Sequence, residues 1–151
     1  MRLMIRGYLL LSLFRRGMTL GVRAAVFDTE GRVFLVKHSY TPGWHLPGGG
    51  VERGETLAGA LTRELAEEGG IRLTAPAVLH GICLNRRASA RDHVAVYVCR
   101  DWVQPEPPKV PNFEIVACGF YAPDALPADT TPGTLRRLAE IGEGMGAAPE
   151  W

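Results

Sequence analysis

The chain has 151 residues, 46% hydrophobic and 22% charged, with 17 basic against 16 acidic side chains and a formal net charge of +1. These are the proportions of one ordinary globular domain, long enough to bury a real core. No field of one sign dominates, so neither a nucleic acid nor an anionic membrane is indicated as a partner.

Met1 to Phe14 carries Arg2 and Arg6, then the apolar run Tyr8-Leu9-Leu10-Leu11 with Leu13 and Phe14. A signal peptide is a poor reading of it. Arg15-Arg16 interrupts the approach to the only cleavage-like stretch, Val22-Arg23-Ala24, and cleavage there would remove part of a strand. The run is also too short to span a bilayer, which takes about 20 apolar residues. Residues 1–20 are therefore expected as a helix packed on its own domain or on a partner subunit, and a homodimer is compatible with that. The alternative is an amphipathic helix lying on a surface, with Arg15 and Arg16 at lipid headgroups.

Val22 to Phe27 and Val33-Phe34-Leu35-Val36, joined by Asp28-Thr29-Glu30-Gly31, predict a hairpin. Tyr40 to Gly43 is a loop, and Trp44-His45-Leu46-Pro47 leads into Gly48-Gly49-Gly50. The spacing predicts a helix over Thr56 to Glu68, ended by Gly69-Gly70. Strands are expected at Ile71 to Leu73, Val78 to Leu84 and His93 to Arg100. The last alternates Val94, Val96 and Val98 with Ala95, Tyr97 and Cys99, so both of its faces are apolar, as in a strand covered on both sides. Pro105 to Pro111 is a connector, Glu114 to Tyr121 a strand, and Pro132 starts a final helix over Gly133 to Gly142. Cys83, Cys99 and Cys118 lack any C-x-x-C pair and read as buried free thiols in a reducing, cytoplasmic setting. The order of elements predicts an α/β (α+β) sandwich, one domain over residues 21–151.

One helix conflicts with its own electrostatics. At about 100° per residue, Leu57, Leu61 and Leu65 form an apolar stripe, with Glu64 and Glu68 beside it and Glu67 to one side. The three carboxylates stand at i, i+3 and i+4 and can converge. They occupy the helix's last turns, where each destabilises by a few tenths to about 1 kcal/mol against the negative helix end. Arg63 offsets one charge and leaves an excess. A divalent ion with hard oxygen ligands, Mg²⁺, meets that excess; a surface helix end paired with Lys or Arg is the alternative. Gly48-Gly49-Gly50 lets backbone approach a ligand, although no Gly-Lys-Ser/Thr follows and it is not a P-loop.

Gly49, Glu55, Arg63, Glu64, Leu65, Glu67, Glu68, Gly70 and Ile71 fill every specified position of Gly-x5-Glu-x7-Arg-Glu-U-x-Glu-Glu-x-Gly-U, where U is aliphatic. The segment thus resembles the box of the Nudix hydrolase superfamily. Trp44-His45-Leu46-Pro47-Gly48, Glu114-x5-Phe120-Tyr121 and Asp124-Ala125-Leu126-Pro127 extend the resemblance over roughly Gly21 to Pro127. It implies an α/β/α sandwich around a mixed sheet, and hydrolysis of a nucleoside diphosphate linked to another group. On this likeness Glu64, Glu67 and Glu68 bind Mg²⁺, or alternatively Mn²⁺, with the backbone carbonyl of Gly48 or Gly49. Glu55 and Arg63 pair to fix the loop against the helix. Metal ions neutralise the phosphates and lower the pKa of a bound water, and a carboxylate takes its proton, Glu67 and Glu114 being the candidates.

The substrate is not specified by any signature downstream of the box. Gly49 and Gly50 are candidate contacts to it. Arg86 and Arg87, with Arg91, are candidate phosphate or ribose contacts, a solvated basic loop being the alternative. Trp44 or Tyr40 could stack on a base or simply pack. The leading expectation is a Mg²⁺-dependent hydrolase of a small nucleotide-like diphosphate. The alternative is a Nudix-fold sensor that binds a nucleotide without turnover, which the intact glutamates disfavour. A Mg²⁺-dependent isomerase or an RNA decapping enzyme stands behind both, and near-neutral charge with a short chain disfavours decapping.

Overall fold

Apolar strands with two apolar faces need cover on both sides, and the chain supplies it from elements distant in sequence. The computed structural model describes residues 2–151, with side chains from Met4 onward. Met1, the start of the expected first helix, lies outside the described residues. β1 (Thr19–Val26) runs parallel to β5 (Asp92–Cys99), which pairs antiparallel with β4 (Val78–Leu84), giving the order β1-β5-β4. β5 is thus the central strand, as its two apolar faces require. β2 (Val33–His38) pairs antiparallel with β7 (Ile115–Tyr121), and β3 (Arg72–Leu73) with β6 (Trp102–Val103), a short strand that sequence periodicity does not reveal.

The expected hairpin is corrected. Its turn forms: the Gly31 amide donates to the Asp28 carbonyl and the Asp28 amide to Arg32. The strands it joins, β1 and β2, share only a bridge at Phe27 and Val33 and then diverge. Residues 45–50 wedge between them. The Val22 and Ala24 amides donate to the carbonyls of Gly49 and Pro47, while Val36 and His45 exchange backbone bonds. The inner edges of β1 and β2 are therefore satisfied by the glycine-rich segment instead of by each other.

Alternation along the strands divides the core in two. Val22, Ala24, Val26, Phe34 and Val36 pack with Ala60, Leu61 and Leu65 of α2 (Leu57–Gly69). Ala25, Val33, Leu35, Val94 and Val96 face the other way, with Leu138 of α3 (Pro132–Gly142). The result is the expected α+β sandwich with helices on both faces. The Thr56 hydroxyl caps α2 by accepting from the Gly59 amide at 3.0 Å, and Gly70 ends it with φ of 61°. The helix expected over residues 1–20 is α1 (Arg2–Arg16), and its large apolar side chains from Met4 to Phe14 are exposed instead of packed on the domain. No helix of the described residues is long and apolar enough to cross a membrane. All three cysteines are free, with Cys83 and Cys99 buried.

Candidate active site

The period of α2 sends its three glutamates into different environments. Glu68 is 1% exposed and Glu64 7%, whereas the Glu67 side chain is 54% exposed. The Glu68 Oε2 accepts from the Gly48 amide at 2.8 Å, and its Oε1 lies 2.5 Å from His38 Nε2. The Glu64 carboxylate accepts from Arg63 Nη1 at 2.7 Å and rests against Gly49, where a Cβ would collide with it. Residue 49 must therefore lack a side chain for the loop and helix to meet.

Arg63 ties this assembly together. It donates to both oxygens of Glu55 at 2.9 Å in a fork and to the Gly50 carbonyl at 2.9 Å, and lies 3.6 Å from Glu67. The loop is thereby fastened to the helix, as expected of the Glu55–Arg63 pair. Arg63's bonds hold the Glu55 carboxyl down at about 2, while burial pushes Glu64 up against the opposing pull of Arg63. Because the folded value of Glu55 lies below its ordinary 4.5, the pair's contribution is present above pH 4.5 and fades as pH falls toward 2. Glu55→Gln is expected to be less stable than wild type near neutrality, with the gap closing across that window. Chemical denaturation at several pH values measures it, and a gap independent of pH would refute the assignment.

Two residues of the site have no counterpart in the sequence expectations. His38 lies on the same face of β2 as Phe34 and Val36, four and two residues before it, and that alternation aims it at α2. Its ligating atoms and those of Glu68 and Glu114 fall within 4.8 Å of one another. Arg23 Nη1 donates to the carbonyls of Leu46 and Gly48 at 2.9 Å each. The Gly48 carbonyl thus already accepts one bond, and the Gly49 carbonyl accepts from Val22. Each retains a second lone pair.

The donor set suits a hard divalent ion. Arg63 is divided among Glu55, Glu64 and Glu67. Among the described residues Glu68 has only His38 as an ionisable partner, and Glu114 pairs with no cationic side chain. Burial first, then the carboxylates of Glu114 and Glu68, pushes the Tyr40 phenol up. Oxygen ligands with uncompensated negative charge are the ligands Mg²⁺ takes.

A cavity of about 590 Å³ is lined by Gly49, Gly50, Arg87, Arg23, His45 and Trp151; none of these glutamates lines it, and Glu64 meets it through its contact with Gly49. Trp44 does not reach it. Trp44 is buried edge-on against Tyr121, so the base-stacking role considered for it gives way to packing. Arg86 is turned to Glu150, 2.9 Å away, and lines a smaller neighbouring cavity with Arg87 and Trp151. Tyr40 is exposed beside His38.

The NUDIX domain family matches residues 17–140. The RNA pyrophosphohydrolase of Caulobacter vibrioides (strain NA1000 / CB15N) is 45% identical over 53 residues, 33% of this chain and 31% of that protein. The RNA pyrophosphohydrolase of Gluconobacter oxydans (strain 621H) is 39% identical over 49 residues, 31% of this chain and 29% of that protein. The matched stretch thus spans less than a third of either relative. Among solved structures, the MutT NUDIX hydrolase from Burkholderia pseudomallei superposes with a TM-score of 0.67 at 32% identity, over 80% of this chain and 94% of that one. The NUDIX hydrolase from Nitrosomonas europaea, at 21% identity and a TM-score of 0.70 over 85% and 91% of the two chains, shares the fold.

Proposed function

The chain belongs to the NUDIX family, whose match covers residues 17–140, and we propose that it is a Mg²⁺-dependent hydrolase of a phosphoanhydride bond in a nucleoside diphosphate linked to another moiety, or in a related small nucleotide. The observation that carries this reading is the packing of the buried Glu64 carboxylate against Gly49, which lines the cavity, with Glu68 one helical turn on and Glu114 clustered with Glu68. Glu64, Glu67 and Glu68 are the residues that would hold the ion, with the carbonyl of Gly48 or Gly49. Such an ion supplies charge neutralisation at the phosphate oxygens and a lowered pKa for water.

The remaining work falls to this chain's own groups. Gly49 and Gly50 admit the phosphate chain close to backbone, and Arg87 presents a guanidinium to it from the opposite loop. Arg63 and Glu55 hold the loop and helix in register. Glu114 is favoured over Glu67 as the proton acceptor. It is exposed, free of a cationic partner among the described residues and clustered with Glu68, whereas Glu67 is drawn to Arg63 at 3.6 Å.

The test is phosphate release in a coupled assay across a panel of nucleoside diphosphate derivatives, dinucleoside polyphosphates and nucleoside triphosphates, with and without Mg²⁺. A triphosphate-ended RNA belongs in it because the curated relatives are RNA pyrophosphohydrolases. Turnover of at least one small member, removed by chelation, is expected. Tight binding of one member with turnover of none would replace the enzyme by a sensor. Added Mg²⁺ is also expected to raise the melting temperature, since an ion that binds only the folded chain stabilises it by mass action.

A further inference from the structure

The total charge of +1 conceals a segregation. α1 carries Arg2, Arg6, Arg15 and Arg16 and no acidic residue, and the first acidic side chain of the whole sequence is Asp28. With four of the 17 basic residues in α1, the remainder holds 13 against 16 acidic, so a helix of +4 is joined to a body of −3.

Among the described residues the same helix carries the densest run of exposed large apolar side chains. At 3.6 residues per turn, Met4, Gly7, Leu10, Leu11 and Phe14 occupy one half of the circumference without a charge among them. Arg6, Ser12, Arg15 and Arg16 occupy the other half, with Ile5, Tyr8, Leu9 and Leu13 between them. Phe14 is 83% exposed and Met4 80%, and the exposed apolar surface continues into Met18 and Leu20. Such a contiguous patch marks an interaction site. Its occupant must accept apolar side chains and several positive charges together. A second α1 meets only half of that requirement: it could cover the uncharged half, but with no acid in either helix it offers the arginines no partner.

We propose that α1 docks this protein onto an anionic lipid surface, its uncharged half sunk at the acyl boundary and its arginines at the headgroups. Fifteen residues make a helix about 22 Å long, shorter than the hydrocarbon core of about 30 Å, so it lies on the membrane and does not cross it. The long arginine stems allow the interleaved apolar residues to approach the lipid while the guanidinium groups stay in water. Only Gly17 and Met18 separate α1 from β1, whose Thr19, Leu20 and Gly21 line the cavity, so docking would hold the catalytic cavity next to the bilayer.

Flotation of the full chain with vesicles of phosphatidylcholine alone, and of phosphatidylcholine mixed with phosphatidylglycerol, tests this. Binding is expected to the anionic vesicles, to be at least about tenfold weaker on the neutral ones, and to fall with added salt. L11E/F14E is expected to abolish it and R15E/R16E to weaken it by at least about tenfold, with circular dichroism and nucleotide hydrolysis in solution unchanged. Two variants that remove different properties of an exposed helix keep the test decisive should one of them misfold. Equal binding to both vesicle types, or none to either, overturns the proposal. So does a dimer in sedimentation velocity that L11E/F14E dissociates while vesicles go unbound, which would assign the patch to a second copy of the chain.

Discussion

Glu68→Gln is expected to lower Mg²⁺-dependent turnover by about 10³-fold or more, with a melting temperature at or slightly above that of wild type in the absence of metal. The substitution preserves shape and removes one negative charge from a side chain that is 1% exposed. Its amide oxygen still accepts from the Gly48 amide, which Glu68 Oε2 now does at 2.8 Å, and its NH₂ faces His38 Nε2, which accepts it once the ring carries its hydrogen on Nδ1. The fold thus loses little. It also sheds a carboxylate from the negative end of α2 and a like-charge neighbour of Glu64, each of which was unfavourable. On the proposed assignment function loses an anionic ligand from a site whose ion would contribute several kcal/mol of charge stabilisation, and each 1.36 kcal/mol is a factor of ten in rate. Steady-state turnover at saturating Mg²⁺, paired with thermal melting of the same samples, measures both halves. Retained turnover would remove Glu68 from the metal site, and an unfolded variant would make it a structural anchor.

That both halves can be separated reflects which physics is local. Within one helix, side-chain direction follows from spacing alone, so the division of Glu64 and Glu68 from Glu67 is legible in the sequence. Their exposures of 7%, 1% and 54% follow the same wheel. The capping at Thr56 and Gly70 is local in the same sense. His38 was not readable in this way. It lies 30 positions from Glu68 and meets it only because residues 45–50 part β1 from β2 and β2 turns to pair with β7.

The hairpin expectation failed for a related reason. Asp28 to Gly31 specifies a reversal of direction, but the reversal does not choose which strand satisfies each edge. Trp44 was ambiguous because an aromatic residue before a glycine-rich loop serves a ligand or a core equally well, and packing against Tyr121 decided it. The net charge is a different kind of quantity, since a sum over 151 residues says nothing of where the arginines sit.

Arg63→Ala should lower turnover by about 10- to 100-fold and the melting temperature by several degrees. Arg63 makes a two-bond fork to Glu55, one bond to Glu64 and one to the Gly50 carbonyl, so its loss unfastens the loop from the helix. Glu64 suffers most. Burial already pushes its carboxyl up, with Glu68 and Glu67 acting in the same direction, and Arg63 is the cation that opposes them. Without it Glu64 takes up a proton more readily, and the proton competes with the ion, so the Mg²⁺ concentration for half-maximal activity should rise. Arg63→Lys separates charge from geometry. A lysine ammonium is a point charge that cannot reproduce the fork to Glu55 while also reaching Glu64. If lysine restores the Mg²⁺ requirement but not the melting temperature, the fork fastens the fold and the charge serves the metal. If both properties stay at wild-type values in Arg63→Ala, the residue has neither role, and the loop must be held by its other bonds, those of Gly49 and Pro47 to β1, of Gly48 to Glu68 and of Arg23 to Gly48.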